Sequence, residues 1–116
     1  KKKRLSMKDY RKFSKKLDKV NYENWKEIVI ARDDSRCMVC KKKLRPRRIN
    51  VHHIIPFQYK ELRTDPMNGV VLCSYCHRLG RNAAHQNAIF FAHLLEFDRP
   101  EQYYYLLDRL KIKVNP

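Results

Sequence analysis

Glycine is almost absent from this chain: Gly69 and Gly80 are the only two in 116 residues. No G-x-x-x-x-G-K or G-x-G-x-x-G stretch occurs, which excludes nucleotide-binding folds built on those phosphate loops. No apolar run approaches the ~20 residues of a membrane span, and none forms the core of a signal peptide near the start. The first residue is Lys1 rather than Met, which predicts a fragment, a processed product or a trimmed chain. Acidic residues are scarce too: 12 Asp and Glu stand against 27 Lys and Arg, for a formal charge of +15. Such a surplus opposes compaction through self-repulsion unless a polyanion offsets it. Nucleic acid is the first candidate partner and an acidic membrane surface the second. The remainder, 43% hydrophobic and 34% charged, is too apolar for a disordered chain and too polar for a membrane protein. The length suits one compact domain, with or without a tail.

Three parts are expected along the chain: a basic arm or helix at 1–20, a central domain at 21–97 and a C-terminal helix packed on it at 98–116. Leu5, Tyr10, Phe13 and Leu17 fall at rough helical spacing, so residues 6–18 read equally as a basic helix or a solvated arm. A second helix is predicted over 23–32, with Asn21 as its cap and Trp25, Ile28, Val29 and Arg32 on one face. Asp33, Asp34 and Ser35 read as a turn. Ile49 to Ile55 reads as a strand ended by Pro56. Ile49, Val51, His53 and Ile55 fall on one side of it, Asn50, His52 and Ile54 on the other. Residues 57–68 form a long connection, and Gly69 to Cys73 a second strand. A helix follows from about Ser74 and is closed or kinked by Gly80. Asn82 is the expected cap of a helix through Phe97, with Ala84, Ala88, Phe91 and Leu95 buried. Arg99-Pro100 breaks that helix before a last one over 101–110.

Four cysteines form two pairs, Cys37-x-x-Cys40 and Cys73-x-x-Cys76. Without a secretory signal, metal ligation is favoured over disulfides. Each knuckle places two thiolates on a tight turn, and two knuckles complete a tetrahedral Zn²⁺ site with no open position, hence a structural one. Two redox pairs or four buried thiols are the alternatives. The histidines cluster in function-like positions: His52 and His53 on the first strand, His77 directly after Cys76. Each alone has a bland explanation. Together, a strand ligand, a helical ligand and a spare imidazole make a hydrolytic site, because neutral imidazole binds divalent ions and titrates near working pH. His85 and His93 read as ordinary surface or core residues. The tyrosines 103–105 read as one core residue with exposed neighbours rather than a base-stacking platform.

Cys37-Met-Val-Cys40, Val51-His-His-Ile-Ile-Pro56 and Asn68-Gly-Val-Val-Leu-Cys-Ser-Tyr-Cys-His77 together resemble the HNH endonucleases of the ββα-metal fold. The likeness spans about residues 23–80. It implies an α+β fold: a small ββα-metal core with a zinc-bound double C-x₂-C knuckle and flanking helices. It implies that His52 and His77 hold the catalytic metal (Mg²⁺, Mn²⁺ or Ni²⁺), that His53 is the general base, and that Asn68 ties down the active-site loop. Some members carry a further His one turn after His77. Arg81 stands there instead, leaving two protein ligands and an Arg suited to clamping phosphate. His52 and His53 are neighbours, so both serve one site only at a strand end or bulge.

The expected function is therefore metal-dependent hydrolysis of double-stranded DNA to 5′-phosphate and 3′-hydroxyl ends. Lys41, Lys42, Lys43, Arg45, Arg47, Arg48, Arg78 and Arg81 are the expected phosphate contacts. One site nicks one strand, so a full cut needs a homodimer, a larger protein or a second event. No membrane partner is expected. The location follows as intracellular, in a prokaryotic cytoplasm or, if virus-encoded, in the host cell. The alternative is a zinc-stapled nucleic-acid-binding module without catalysis, which leaves His53, Asn68 and His77 as coincidence.

Overall fold

The computed structural model describes residues 6–110. Leu5 and the ends of both flanking segments, 1–5 and 111–116, lie outside the described residues. The basic segment and the helix expected at 23–32 are one helix, α1 (Met7–Arg32). Its cap is Ser6, not Asn21: Asp9 N–H donates to Ser6 Oγ at 3.1 Å, and the Asp9 carboxylate accepts from the Ser6 N–H at 3.3 Å. That reciprocal box satisfies two amides left orphaned at a helix start. Asn21 falls inside α1 because nothing between Asp18 and Glu23 breaks helix. The helix stops where Asp34 and Ser35 enter the left-handed region, at φ 53° and 55°. Trp25 and Val29 are buried, whereas Ile28 is exposed and does not belong to the buried face.

Strands β1 (Asn50–His53) and β2 (Gly69–Leu72) form one antiparallel hairpin, with His52 opposite Val70 and His53 opposite Gly69. β2 is buried along its whole length. Val71 packs under α1 with Trp25 and Val29, alongside Ile49 and Val51. Val70 and Leu72 face the other way, onto Phe91, Leu95, Cys37 and Met38, with Ile54 beside them. The predicted alternation of the first strand therefore holds. Residues 37–40 lie along β2, with Met38 N–H donating to the Val71 carbonyl at 2.9 Å.

After β2 comes a π-helical turn, Tyr75–Leu79, rather than a regular helix. It ends at Gly80, where a Cβ would sit 2.7 Å from the Tyr75 ring. Residues 80–87 are not helical. Helix α2 (Ala88–Asp98) starts at Asn87, whose side chain accepts from Phe90 N–H, so Asn82 is not the cap. Ala84 is buried from the loop, Ala88 is exposed, and Phe91 and Leu95 supply the buried stripe. The loop departs from helix because Ala84 N–H donates to Cys76 O at 2.8 Å and His85 N–H to His77 O at 3.0 Å, folding the chain back on the π-turn. Helix α3 (Pro100–Arg109) follows the Arg99-Pro100 break and buries Gln102 and Leu106. Tyr103 packs on the core, while Tyr105 donates to Asp65 at 2.6 Å. No helix among the described residues is long and apolar enough to cross a membrane.

One buried carboxylate joins these layers. Asp33 accepts from Val71 N–H at 2.8 Å, Arg32 Nε at 2.8 Å and Arg99 at 3.0 Å. The Arg32 fork also reaches the carbonyls of Pro66 and Gly69. Close approach sets the second constraint. A Cβ at Gly69 would lie 2.7 Å from both the Trp25 ring and a Val29 methyl. Gly69→Ala should therefore cost about 1–3 kcal/mol of stability, the range for overpacking a filled core. Urea denaturation checks this, and an unchanged midpoint would show that α1 can lift off β2 freely.

Candidate active site

Two clusters of metal-ligating side chains stand on either side of the Cys73–His77 segment. The first is cysteine. The sulfurs of Cys37, Cys40, Cys73 and Cys76 all lie within 4.8 Å of one another, and Cys40 Sγ is 3.9 Å from Cys73 Sγ. A disulfide needs about 2.05 Å, so no pair is bonded. A Zn–S length of about 2.3 Å sets tetrahedral sulfurs about 3.8 Å apart, and the observed spacing fits. The first knuckle closes through Lys41, whose N–H donates to Cys37 O at 2.9 Å from a left-handed φ of 66°. Burial opposes ionisation of Cys37, but N–H groups of Cys40, Cys73 and Val39 outweigh it and its pKa is lowered. Burial, then the neighbouring sulfurs, raises the pKa of Cys40 and Cys76. Four thiolates cannot share this space without a cation, and a divalent ion with a taste for sulfur meets that need.

The second cluster is histidine. His52 on β1 and His77 on the π-turn meet at 3.1 Å, Nδ1 to Nε2. His85, read from sequence as an ordinary residue, joins them: its Nε2 lies 2.9 Å from His77 Nε2. The three rings' nitrogens fall within 4.8 Å of each other. Ligands about 2.0–2.1 Å from a metal lie about 2.8–3.4 Å apart in octahedral or tetrahedral arrangements, so the 2.9 and 3.1 Å separations fit an ion. The cluster thus offers three candidate donors where two were expected. Arg81, one turn after His77, is exposed and not in the cluster. The missing donor arrives four residues later, because the loop brings His85 back onto His77. A histidine eight residues after His77, beyond the break at Gly80, was its only sequence signal.

Burial, followed by the mutual repulsion of the cluster, pushes the His52 pKa down to about 3. Burial and the neighbouring His85 push His77 down to about 4, and His85 is lowered too. All three are neutral at neutral pH, the form that binds metal.

His53 faces the opposite side of the hairpin from His52. Its ring stacks on Trp25 with centroids 4.0 Å apart and meets Phe57 edge-on at 5.7 Å. Its Nε2 lies 2.8 Å from the Arg63 carbonyl, which only accepts, so Nε2 carries the proton and Nδ1 keeps the lone pair. Burial lowers its pKa despite that bond. His52 and His53 nonetheless line one cleft of about 750 Å³, where β1 ends and the chain turns through Ile55 and Pro56. Asn68 is fully buried behind this turn. Its Oδ1 accepts from Ile55 N–H at 2.6 Å, and its Nδ2 donates to Ile55 O at 3.1 Å and Leu62 O at 3.0 Å. One side chain thus clamps both ends of the 55–62 loop. Of the expected phosphate contacts, Lys42, Arg45, Arg47, Arg48, Arg78 and Arg81 are exposed, and Arg78 borders the cleft. Lys41 and Lys43 are exposed as well, but pair with Asp98 and Asp34.

Residues 37–82 match the family of HNH endonucleases. That segment contains both cysteine knuckles, His52, His53, Asn68 and His77 and stops short of His85. No curated protein and no solved structure matches the chain. The cysteine cluster generates a direct test. If the four sulfurs share a zinc ion, Cys40→Ser or Cys73→Ser should lose it and destabilise the whole domain, since structural zinc binding is coupled to folding. Elemental analysis with circular dichroism reads both, and a folded, zinc-free parent protein with four reactive thiols would refute the site.

Proposed function

We propose that this HNH domain is a metal-dependent endonuclease that hydrolyses phosphodiester bonds of double-stranded DNA. The observation that carries the reading is the meeting of His52, His77 and His85 nitrogens at a cleft that His53 also lines. Three imidazole nitrogens converging within 4.8 Å at a cleft suit a metal ion that is open to a substrate. DNA as substrate is supported by the formal charge of +15 and by the exposed Arg45, Arg47, Arg48 and Arg78.

His52, His77 and His85 would hold the divalent ion, which when bound supplies charge neutralisation to the scissile phosphate and the departing 3′ oxygen. With no carboxylate in the set, borderline ions such as Mn²⁺, Ni²⁺ or Zn²⁺ suit it better than Mg²⁺, which prefers oxygen. His53 acts as general base. Its proton sits on Nε2 against Arg63 O, so Nδ1 is the nitrogen that takes a proton from the attacking water. Stacking on Trp25 fixes the plane of the ring, and Asn68 fixes the loop that follows it. Arg78 offers a cation to the phosphate at the cleft mouth. Products carry 5′-phosphate and 3′-hydroxyl ends. The zinc cluster is structural, and residues 21–97 form the catalytic unit with the C-terminal helix as its support.

A base and a ligand fail differently. His53→Ala should fold, bind the divalent ion and bind DNA, yet nick plasmid about 10²–10⁴ times more slowly, the usual contribution of a general base. His77→Ala and His85→Ala should first lose metal affinity, so excess Mn²⁺ restores part of their rate. Titrating metal against nicking rate for the three variants distinguishes the roles. Metal rescue of His53→Ala, or full activity in it, would assign the base to another group. Full activity of His85→Ala at limiting metal would remove the third ligand.

A further inference from the structure

Helix α1 is about 39 Å long at 1.5 Å per residue, but only the part from Tyr22 onward is packed on the hairpin. Every residue from Met7 to Asn21 whose side chain is described is exposed. That stretch holds six cations, Lys8, Arg11, Lys12, Lys15, Lys16 and Lys19, against Asp9 and Asp18. At 3.6 residues per turn the six fall within an arc of about 140°. Leu17 and Val20 lie on the far side of the helix from its centre. None of the six shares an ion pair with an acidic residue among the described residues, whereas Lys26, further along, pairs with Glu23 at 3.4 Å. The stripe is also aimed. Tyr22, Glu23 and Lys26, the next turns of the same helix, line a cleft that reaches Asn50 and His77.

We infer that the free half of α1 is a phased phosphate-binding helix that lies along the duplex flanking the cleft. The identity of the polyanion as DNA rests on the proposed nuclease function. A one-sided stripe on a rigid helix differs from a loose basic tail in one respect: its direction is fixed by the packed end. Lys8 to Lys19 spans about 16 Å, close to five base pairs at about 3.4 Å each. The helix would then hold about half a turn of duplex on one side of the cut, and the partner need not supply any order of its own.

Rotation without loss of charge tests this. Two alanines inserted between Val20 and Asn21 turn the stripe by about 200°, while four turn it by about 400° and bring it back within about 40° of its place. Alanine keeps the helix intact. The full chain, zinc-loaded and without added divalent ion, is titrated with a 30-base-pair duplex across a salt series by fluorescence anisotropy. The Lys12→Gln/Lys15→Gln/Lys19→Gln variant should lose about 2.7 from the log–log salt slope, three phosphates at about 0.9 each. The two-alanine chain should lose a comparable amount despite its unchanged charge, and the four-alanine chain should bind like the parent. Parental slopes in the triple variant, equal behaviour of the two insertions, or preference for single-stranded RNA over the duplex would each overturn the inference. Absence of nicking when Mn²⁺ is then added to the same complexes, alongside the expected slopes, would sink the nuclease reading and leave the phased helix standing.

Discussion

A hairpin of two four-residue strands buries too little to persist in water on its own, and β2 must be covered on both faces before it holds its register. That constraint arranges the rest of the molecule. α1 covers the Val71 face, α2 covers the Val70 and Leu72 face, and the first cysteine knuckle runs along the strand. Gly69 lets Trp25 and Val29 come down onto the strand without a methyl in the way. Asp33 then ties the end of α1 to Val71 and, through Arg99, to the start of α3. A carboxylate this buried is tolerated because two guanidiniums and an amide surround it. Removing either arginine would leave charge in the interior with fewer partners.

The strand period explains the separation of roles among the histidines. Side chains on adjacent strand residues point to opposite faces. His52 therefore meets the α2 side, where His77 and His85 wait, while His53 meets the α1 side and stacks on Trp25. Adjacent residues in the chain thus occupy different environments: one among other imidazoles, the other between an indole and a backbone carbonyl. The same pleat that separates them also places both at the end of β1, where the cleft wraps around the strand. Asn68 fixes that end from behind, using all of its amide on the backbone of Ile55 and Leu62.

The sequence was most legible where spacing is short and chemistry specific. Both cysteine pairs, the His-His pair, Asn68 and His77 could be picked out because their order and separations leave little room for chance, and the two faces of β1 followed from alternation. Helix ends were less legible. Asn21 and Asn82 are competent caps by residue type, but capping is decided by what the neighbouring backbone does. No break follows Val20, so α1 continues. Ala84 and His85 are drawn by hydrogen bonds to Cys76 and His77, so α2 begins later. His85 was missed for the same reason. Its sequence context reads as a helix beginning at Asn82, and only the folded-back loop brings it into contact with His77.

The two metal clusters are mechanically connected through very few atoms. Cys73, Cys76 and His77 occupy five consecutive residues. Cys76 N–H points at Cys73 Sγ, and His77 N–H donates to Cys73 O at 2.9 Å. Cys76 O and His77 O in turn receive Ala84 and His85, which sets the loop that carries the third imidazole. A cation on the four sulfurs therefore fixes the backbone from which His77 projects and onto which His85 folds. Without it, the Cys40 and Cys76 thiols, raised by burial and by the neighbouring sulfurs, would stay protonated, and only packing and backbone hydrogen bonds would hold the knuckles at the base of the π-turn. His52 alone stands on the hairpin and would keep its place. An ion on the four sulfurs would thus position two of the three candidate donors of the proposed catalytic ion, so the histidine cluster would depend on the cysteine side as well as on its own rings.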